Sequence, residues 1–427
     1  MRKSKTIRTL VSALLLLALC IGLCACIKGG APAKISAWDL MTGVTAREID
    51  GKASDDEFVR SQAELAVKLF RAAAKGSNGK NLLISPLSVQ LALAMAANGA
   101  RGETLSEMEA LLGNGMSIDE LNTYLRGYIE DLPSRKFDPK LHMASSIWLR
   151  DDGLFNANED FLQKNADYYG SDVYKAPFDK TTLDDVNLWT KQNTNGMIDK
   201  MLDEIDESSV MLLINTLFFD GQWLVPYTDD MVKSGKFTSI TGETRNVPMM
   251  HATLYDYISD GNATGFIKDF NGTGYAFAAI LPNEGIDVYD YVDSMSADGI
   301  LNMLGNASGQ NSVTTQLPKF SHEYELSMKE LLCSLSMESA FNGSSADFSG
   351  IGSSELGNLF ISDVTHKTCI EVSERGTVAG AATAVDVNGM TLPRPDSHQV
   401  ILDRPFVYMI IDTRYNLPIF MGVVADI

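Results

Sequence analysis

Ser373 to His398 reads SERGTVAGAATAVDVNGMTLPRPDSH, an odd stretch to find near the end of a globular chain. Its first half runs through small side chains: Gly376, Thr377, Ala379, Gly380, Ala381, Ala382, Thr383 and Ala384. Its second half reads as an exposed loop, with Asn388-Gly389, Pro393 and Pro395 among polar residues. Strong strand patterns flank it, KTCIEVSE (367–374) before and PFVYMIID (405–412) after. A short turn would join two such strands. A long Ala/Gly/Thr-rich segment in that place has to serve another purpose.

Working outward, VMLLINTLFF (210–219), YAFAAILP (275–282), SVTTQLPKF (312–320) and PIFMGVVAD (418–426) also read as strands, several apolar on both faces. The spacing predicts helices mainly in the first half. Ser54-Asp55-Asp56 caps one that carries Phe58, Leu65, Leu69 and Phe70 and stops at Gly76. Ser85-Pro86 opens a second, apolar almost all round and therefore buried. Helical patterns continue through 104–131, 157–168 and 183–193, and a further helix is expected near Glu325–Glu338. Helices mostly first and strands mostly later define an α+β chain with large sheets.

The N-terminus, MRKSKTIRTLVSALLLLALCIGLCAC, places Arg2, Lys3, Lys5 and Arg8 before an apolar run from about Leu10 to Leu23. That is the layout of a secretory signal, short for a membrane span. Leu23-Cys24-Ala25-Cys26 resembles a bacterial lipobox, which makes residues 1–25 a lipoprotein signal peptide and Cys26 the lipid-bearing residue. Cys20 and Cys24 fit less well, because Leu19 and Leu23 precede them where a small residue is expected. The expectation is a protein at the cell surface, held to the membrane by lipid. Residues 26–53 read as a lipidated tether, and 54–427 as one domain without an internal linker or repeat.

Removing residues 1–25 takes away four positive charges and moves the formal net charge from −20 to −24. So acidic a chain disfavours nucleic acid and anionic lipid as partners. Cys333 and Cys369, the two cysteines beyond Cys26, form neither a disulfide framework nor a zinc pattern. The five histidines include no His-Glu-x-x-His, and there is no Gly-x-Ser-x-Gly elbow and no phosphate-binding glycine loop. Nothing points to an enzyme, a metal or a cofactor.

Fixed strings along the chain then add up. Asn81 to Thr104 (NLLISPLSVQLALAMAANGARGET) resembles the early helix motif of the serpins, and Leu213 to Trp223 (LINTLFFDGQW) is similar to their strand-plus-tryptophan motif. Leu317 to Phe320 (LPKF), Ala346 to Ile351 (ADFSGI), His366 to Thr377, Arg404 to Phe406 (RPF) and Phe420 to Val423 (FMGV) follow in family order. The resemblance spans about Phe58 to Ile427. It implies a single-domain serpin fold: one large central β-sheet, two smaller sheets, about eight or nine helices, and an exposed reactive-centre loop over about 374–403.

The resemblance also implies a use for the opening stretch. In inhibitory serpins the loop, once cut by a protease, inserts into the large sheet as a new strand. An inserting strand must offer small side chains on its inward face. Glu374 and Gly376 mark the hinge, and Thr377, Ala379, Ala381 and Thr383 are the inward set, none bulky or charged. Val378 departs from the Glu common in inhibitory members, at an outward position. Counting as in the family puts the cleaved bond at Met390-Thr391; the segment from Met390 to Pro405 is longer than in many members, and if the extra residues precede the bond it moves toward Thr391 or Leu392. Proline follows both Leu392 and Arg394, which blocks most proteases there, while Val385-Asp386 and Val387-Asn388 stay open to an elastase-like enzyme. Methionine suits elastase-, chymotrypsin- or subtilisin-like serine proteases, the partners implied, which would be trapped as an acyl-enzyme by a monomeric inhibitor. Ser85, Ser88, Asn215 and His366 match a hydrogen-bonded cluster where the sheet opens, and Trp223 the tryptophan at its top. A serpin-fold binding protein, or a decoy cut without trapping, is the other reading.

Overall fold

The computed structural model describes residues 34–132, 140–151, 153, 155–206, 208–272, 274–307, 309, 311–354, 357–377 and 397–427. In chain order β1 (Trp38–Asp39) is followed by α1 (Asp56–Gly76), β2 (Leu82–Ile84), α2 (Pro86–Ala97), α3 (Gly102–Leu112) and α4 (Ile118–Asp131). Next come β3 (Lys140–Arg150), β4 (Asn156–Ala157), α5 (Glu159–Tyr169), β5 (Asp172–Ala176), α6 (Lys180–Asn193) and β6 (Met211–Asp220). The middle of the chain is β-rich: β7 (Val232–Thr238), β8 (Thr244–Leu254), β9 (Asp256–Ser259), β10 (Ala263–Asp269) and β11 (Tyr275–Pro282). Two short helices, α7 (Val288–Ser294) and α8 (Ala297–Gly305), precede β12 (Ser312–Pro318), β13 (Phe320–Ser327), α9 (Lys329–Ser334) and β14 (Gly352–Ser353). The chain closes with β15 (Asp363–Val372), β16 (Ser397–Ile401), β17 (Phe406–Asp412) and β18 (Leu417–Val424).

The caps follow the local chemistry. Asp55 accepts from the Phe58 N–H at the start of α1, and Ser85 from the Ser88 N–H at the start of α2, with Pro86 in the first turn. Every residue of α2 is buried, as its apolar sequence requires, because it lies behind β3, β6 and β18.

The first sheet has the order β1-β5-β3-β6-β15-β13 and the second β2-β18-β17-β11-β10-β9. A four-stranded sheet, β16-β12-β8-β7, and the pair β14-β4 complete the sheets among the described residues. The second sheet is thus as wide as the first, where one large and two smaller sheets were expected. In the middle of the first sheet β6 and β15 run parallel, with Asp363 opposite Leu212 and Thr368 opposite Leu217. A parallel neighbour requires a long connection; here it is everything from 221 to 362.

One expectation fails and another is met in shortened form. Ala37–Ile427 forms one compact unit, so residues 37–53 are not a loose tether. Trp38 and Asp39 pair with Lys175 and Tyr174 of β5, and Arg47 donates to the buried carboxylate of Asp167 at 2.7 and 2.8 Å. The Lys52 N–H donates to the Thr123 carbonyl, and Gly51 lies so close to Gly127 of α4 that a Cβ there would stand 2.3 Å from the Gly127 backbone. This strap is irregular and ties itself down by backbone bonds to distant elements, so no periodicity announces it. The helix expected near Glu325–Glu338 is present but shorter: Glu325 to Ser327 end β13, and α9 covers only Lys329–Ser334. Along β13 buried Phe320 gives way to strict alternation of exposed and half-buried residues, the period of a strand at a sheet edge.

Candidate functional site

After Val372 the chain leaves β15 and reverses at once. The Ser373 N–H donates to the Gly376 carbonyl at 2.9 Å, closing a turn over 373–376. Gly376 has φ +145, and a Cβ on it would lie 2.0 Å from the Gly221 carbonyl oxygen. No side chain fits there.

The next residue, Thr377, is 1% exposed. Its N–H donates to the Gly221 carbonyl at 2.8 Å, and its Oγ1 accepts from the Gly221 N–H at 3.0 Å. Gly221 directly follows β6. The ladder between β6 and β15 ends at Leu217 and Thr368, four residues short of the end of β15 at Val372. Thr377 therefore sits at the mouth of the unpaired upper part of the two central strands.

Trp223 holds this turn. Its N–H donates to the Arg375 carbonyl at 3.0 Å and its indole Nε1 to the Ser373 carbonyl at 2.8 Å. The ring stacks on Phe270 at 4.7 Å between centroids. The Tyr227 N–H donates to the Glu374 carbonyl at 2.9 Å, and the Glu374 carboxylate lies 2.6 Å from Lys319 Nζ, whose hydrogen bond and then charge lower its pKa.

Lower in the sheet, His366 stands opposite Asn215 in the parallel register. The ring is fully buried. Its Nε2 accepts from the Ser85 N–H at 3.1 Å, which leaves the proton on Nδ1, 3.3 Å from Asn215 Oδ1. Asn215 Nδ2 donates to the Ser88 carbonyl and to Ser145 Oγ, each at 2.8 Å, and Asn215 Oδ1 accepts from the Ser88 hydroxyl. Burial draws the His366 pKa down to about 4, so the ring is neutral at pH 7. Polar groups from α2, β3, β6 and β15 thus meet in one closed network.

The structure therefore brings Ser85, Ser88, Asn215 and His366 together, and sets Trp223, Glu374, Gly376 and Thr377 at the top of the same two strands. Ala379, Ala381, Thr383, Met390, Thr391 and Cys26 lie outside the described residues. Ser145 and Lys319 were missed by sequence reasoning. Ser145 has no local signal, since β3 was not recognised as a strand, whereas Lys319 stands inside the LPKF string itself.

The site thus combines a wide sheet with a parallel central pair, a polar network across it and a sharp turn above it. The family model "Serpin (serine protease inhibitor)" matches residues 60–427. The chain belongs to the serpin family, whose members are mostly protease inhibitors. It is 29% identical to alpha-1-antiproteinase of Rattus norvegicus over 85% of this chain and 88% of that one. The thermophilic serpin Tengpin in its native state is 43% identical and superposes with a TM-score of 0.87, covering 92% of this chain and 100% of that one. Thyroxine-binding globulin in complex with thyroxine, 22% identical with a TM-score of 0.75 over 87% and 98% of the two chains, shares the fold alone.

Proposed function

We propose that this chain is a suicide inhibitor of extracellular serine proteases of the elastase, chymotrypsin or subtilisin kind. The observation that carries the reading is Thr377: small, buried, and hydrogen-bonded at the mouth of the unpaired central strands. The protease serine attacks the Met390 carbonyl, the Met390-Thr391 bond breaks, and an acyl-enzyme forms. Residues from Thr377 onward then continue the step that Thr377 has begun, about 40 Å of strand at ~3.3 Å per residue. The attached protease is carried along and distorted before water reaches the ester. We further propose that Cys26 carries lipid and holds the inhibitor at a cell surface.

Mixing the intact chain with elastase, chymotrypsin and subtilisin tests this. A complex that survives denaturing gels, with a released peptide beginning at Thr391, is the expected result. Cleavage there by all three with no complex would make the chain a substrate and sink the proposal. Thr377→Arg is expected to be cut at the wild-type rate while complex yield falls at least about tenfold, because a buried unpaired charge costs several kcal/mol.

A further inference from the structure

Beside the hinge, a groove of about 500 Å³ opens between the segment Leu224–Met231, the end of β8 and the end of β10. That size lies within the ~300–1,000 Å³ of small-molecule sites. Leu224 and Val225, each 52% exposed, stand side by side on its rim, and Met231, Leu254 and Ile267 continue the apolar lining.

Two buried polar groups line the same groove. Lys268 is 5% exposed; its Nζ donates to the Val225 carbonyl at 2.8 Å and lies 4.5 Å from the Tyr227 ring centroid and 5.3 Å from that of Trp223. Among the described residues no carboxylate pairs with it, although a buried ammonium is ordinarily paired. One carbonyl takes up one of its three N–H donors. Tyr227 is also 5% exposed, and its Oη makes no hydrogen bond among the described residues. A buried hydroxyl left so costs about 1–3 kcal/mol. Lys268 keeps two donors, and Tyr227 its hydroxyl, with no acceptor among the described residues, beside an apolar wall.

We propose that this groove binds a small apolar monocarboxylate, with its hydrocarbon body against Leu224, Val225 and Ile267 and its carboxylate on Lys268 Nζ and Tyr227 Oη. Asp256 and Asp269 also line the groove, half-buried and exposed respectively. Asp269 attracts the Lys268 ammonium but is exposed and screened by solvent and salt, and neither aspartate lies within ion-pair distance of it. The buried ammonium, by contrast, acts through a medium of lower dielectric. Burial brings the Lys268 pKa down to about 8, which leaves most of its charge in place at neutral pH. The site is independent of whether the chain traps proteases.

Decanoate is the first probe, below its micelle concentration, with decanol and decylamine as neutral and cationic counterparts; Trp223 fluorescence of the intact chain follows binding. Decanoate is expected to bind about tenfold more tightly than decanol, as a charge-assisted contact requires. Lys268→Met, close in length and volume, should abolish that preference and leave decanol binding intact, which also shows that the groove is folded. Tyr227→Phe deletes one buried oxygen and should reduce the preference about threefold, an independent reading of the same contact. Equal binding of decanoate and decanol, a preference that survives in K268M, or tightest binding of decylamine would overturn the proposal.

Discussion

The two six-stranded sheets are built on opposite principles. In the second, β11, β17 and β18 are buried at every position, and their sequences are apolar on both faces. In the first, β6 is buried nearly throughout, yet its centre is Asn215, bonded to Ser88, Ser145 and His366. An apolar interface loses free energy in proportion to the area exposed when it opens. A hydrogen-bonded seam resists opening through a few directional bonds whose groups can find new partners. On the proposed mechanism one sheet stays shut and the other parts along one line.

Breaking the second sheet should have the largest effect on stability. Phe266, fully buried in β10, leaves a cavity when replaced by alanine, and F266A is expected to cost about 3–5 kcal/mol in the uncut and loop-cleaved forms alike. Denaturant unfolding of both forms checks this; a loss confined to one would erase the contrast.

Acid probes both regions. His366 lies in the seam, and His322 of β13 lies between the sheets with Nε2 3.1 Å from the Tyr408 hydroxyl; burial lowers both pKa values to about 4. Above pH 6.5 the rings are neutral whether the chain is folded or unfolded. Below it the unfolded chain takes up protons that the folded chain refuses, so stability falls until the folded rings titrate near pH 4. The loss is about 3 kcal/mol for each ring. Unfolding midpoints from pH 7 to 4 should show the fall, and His322→Phe should remove about half of it.

Asn215→Ala removes the acceptor and donors that join Ser88, Ser145 and His366. A cost of about 2 kcal/mol is expected in the uncut form and a smaller one in the loop-cleaved form. Equal destabilisation of both forms would show that the seam is merely core. The smallest effect belongs to Lys319→Ala: both partners of the Lys319–Glu374 pair are about one-third exposed, so less than about 1 kcal/mol is expected.

What was legible in the sequence were elements that advertise themselves within ten residues. Tyr275–Pro282 came out at its observed bounds, and Ser85-Pro86 marked the start of α2, because an apolar run or a cap is a local signal. Strands β7 and β8 escaped, since Lys233, Lys236, Thr244, Arg245 and Asn246 leave too few apolar positions to set a period. The strap over 37–53 escaped for a different reason: its partners, Asp167, Val173 and Thr123, are more than seventy positions away. The seam residues were readable only through family resemblance. Taken singly, a serine, an asparagine and a histidine on separate elements say nothing of one another.

The parallel register of β6 and β15 has a consequence of its own. A strand that leaves β15 through the turn at Gly376 and continues past Thr377 between them would run opposite to both. One slanted parallel ladder would give way to two antiparallel ones, which are slightly more stable per residue. On the proposed mechanism the starting geometry is consumed in the process, and each molecule is a fuse, spent once. Protection then depends on how many intact chains are on hand, so rates of synthesis and loss matter as much as affinity.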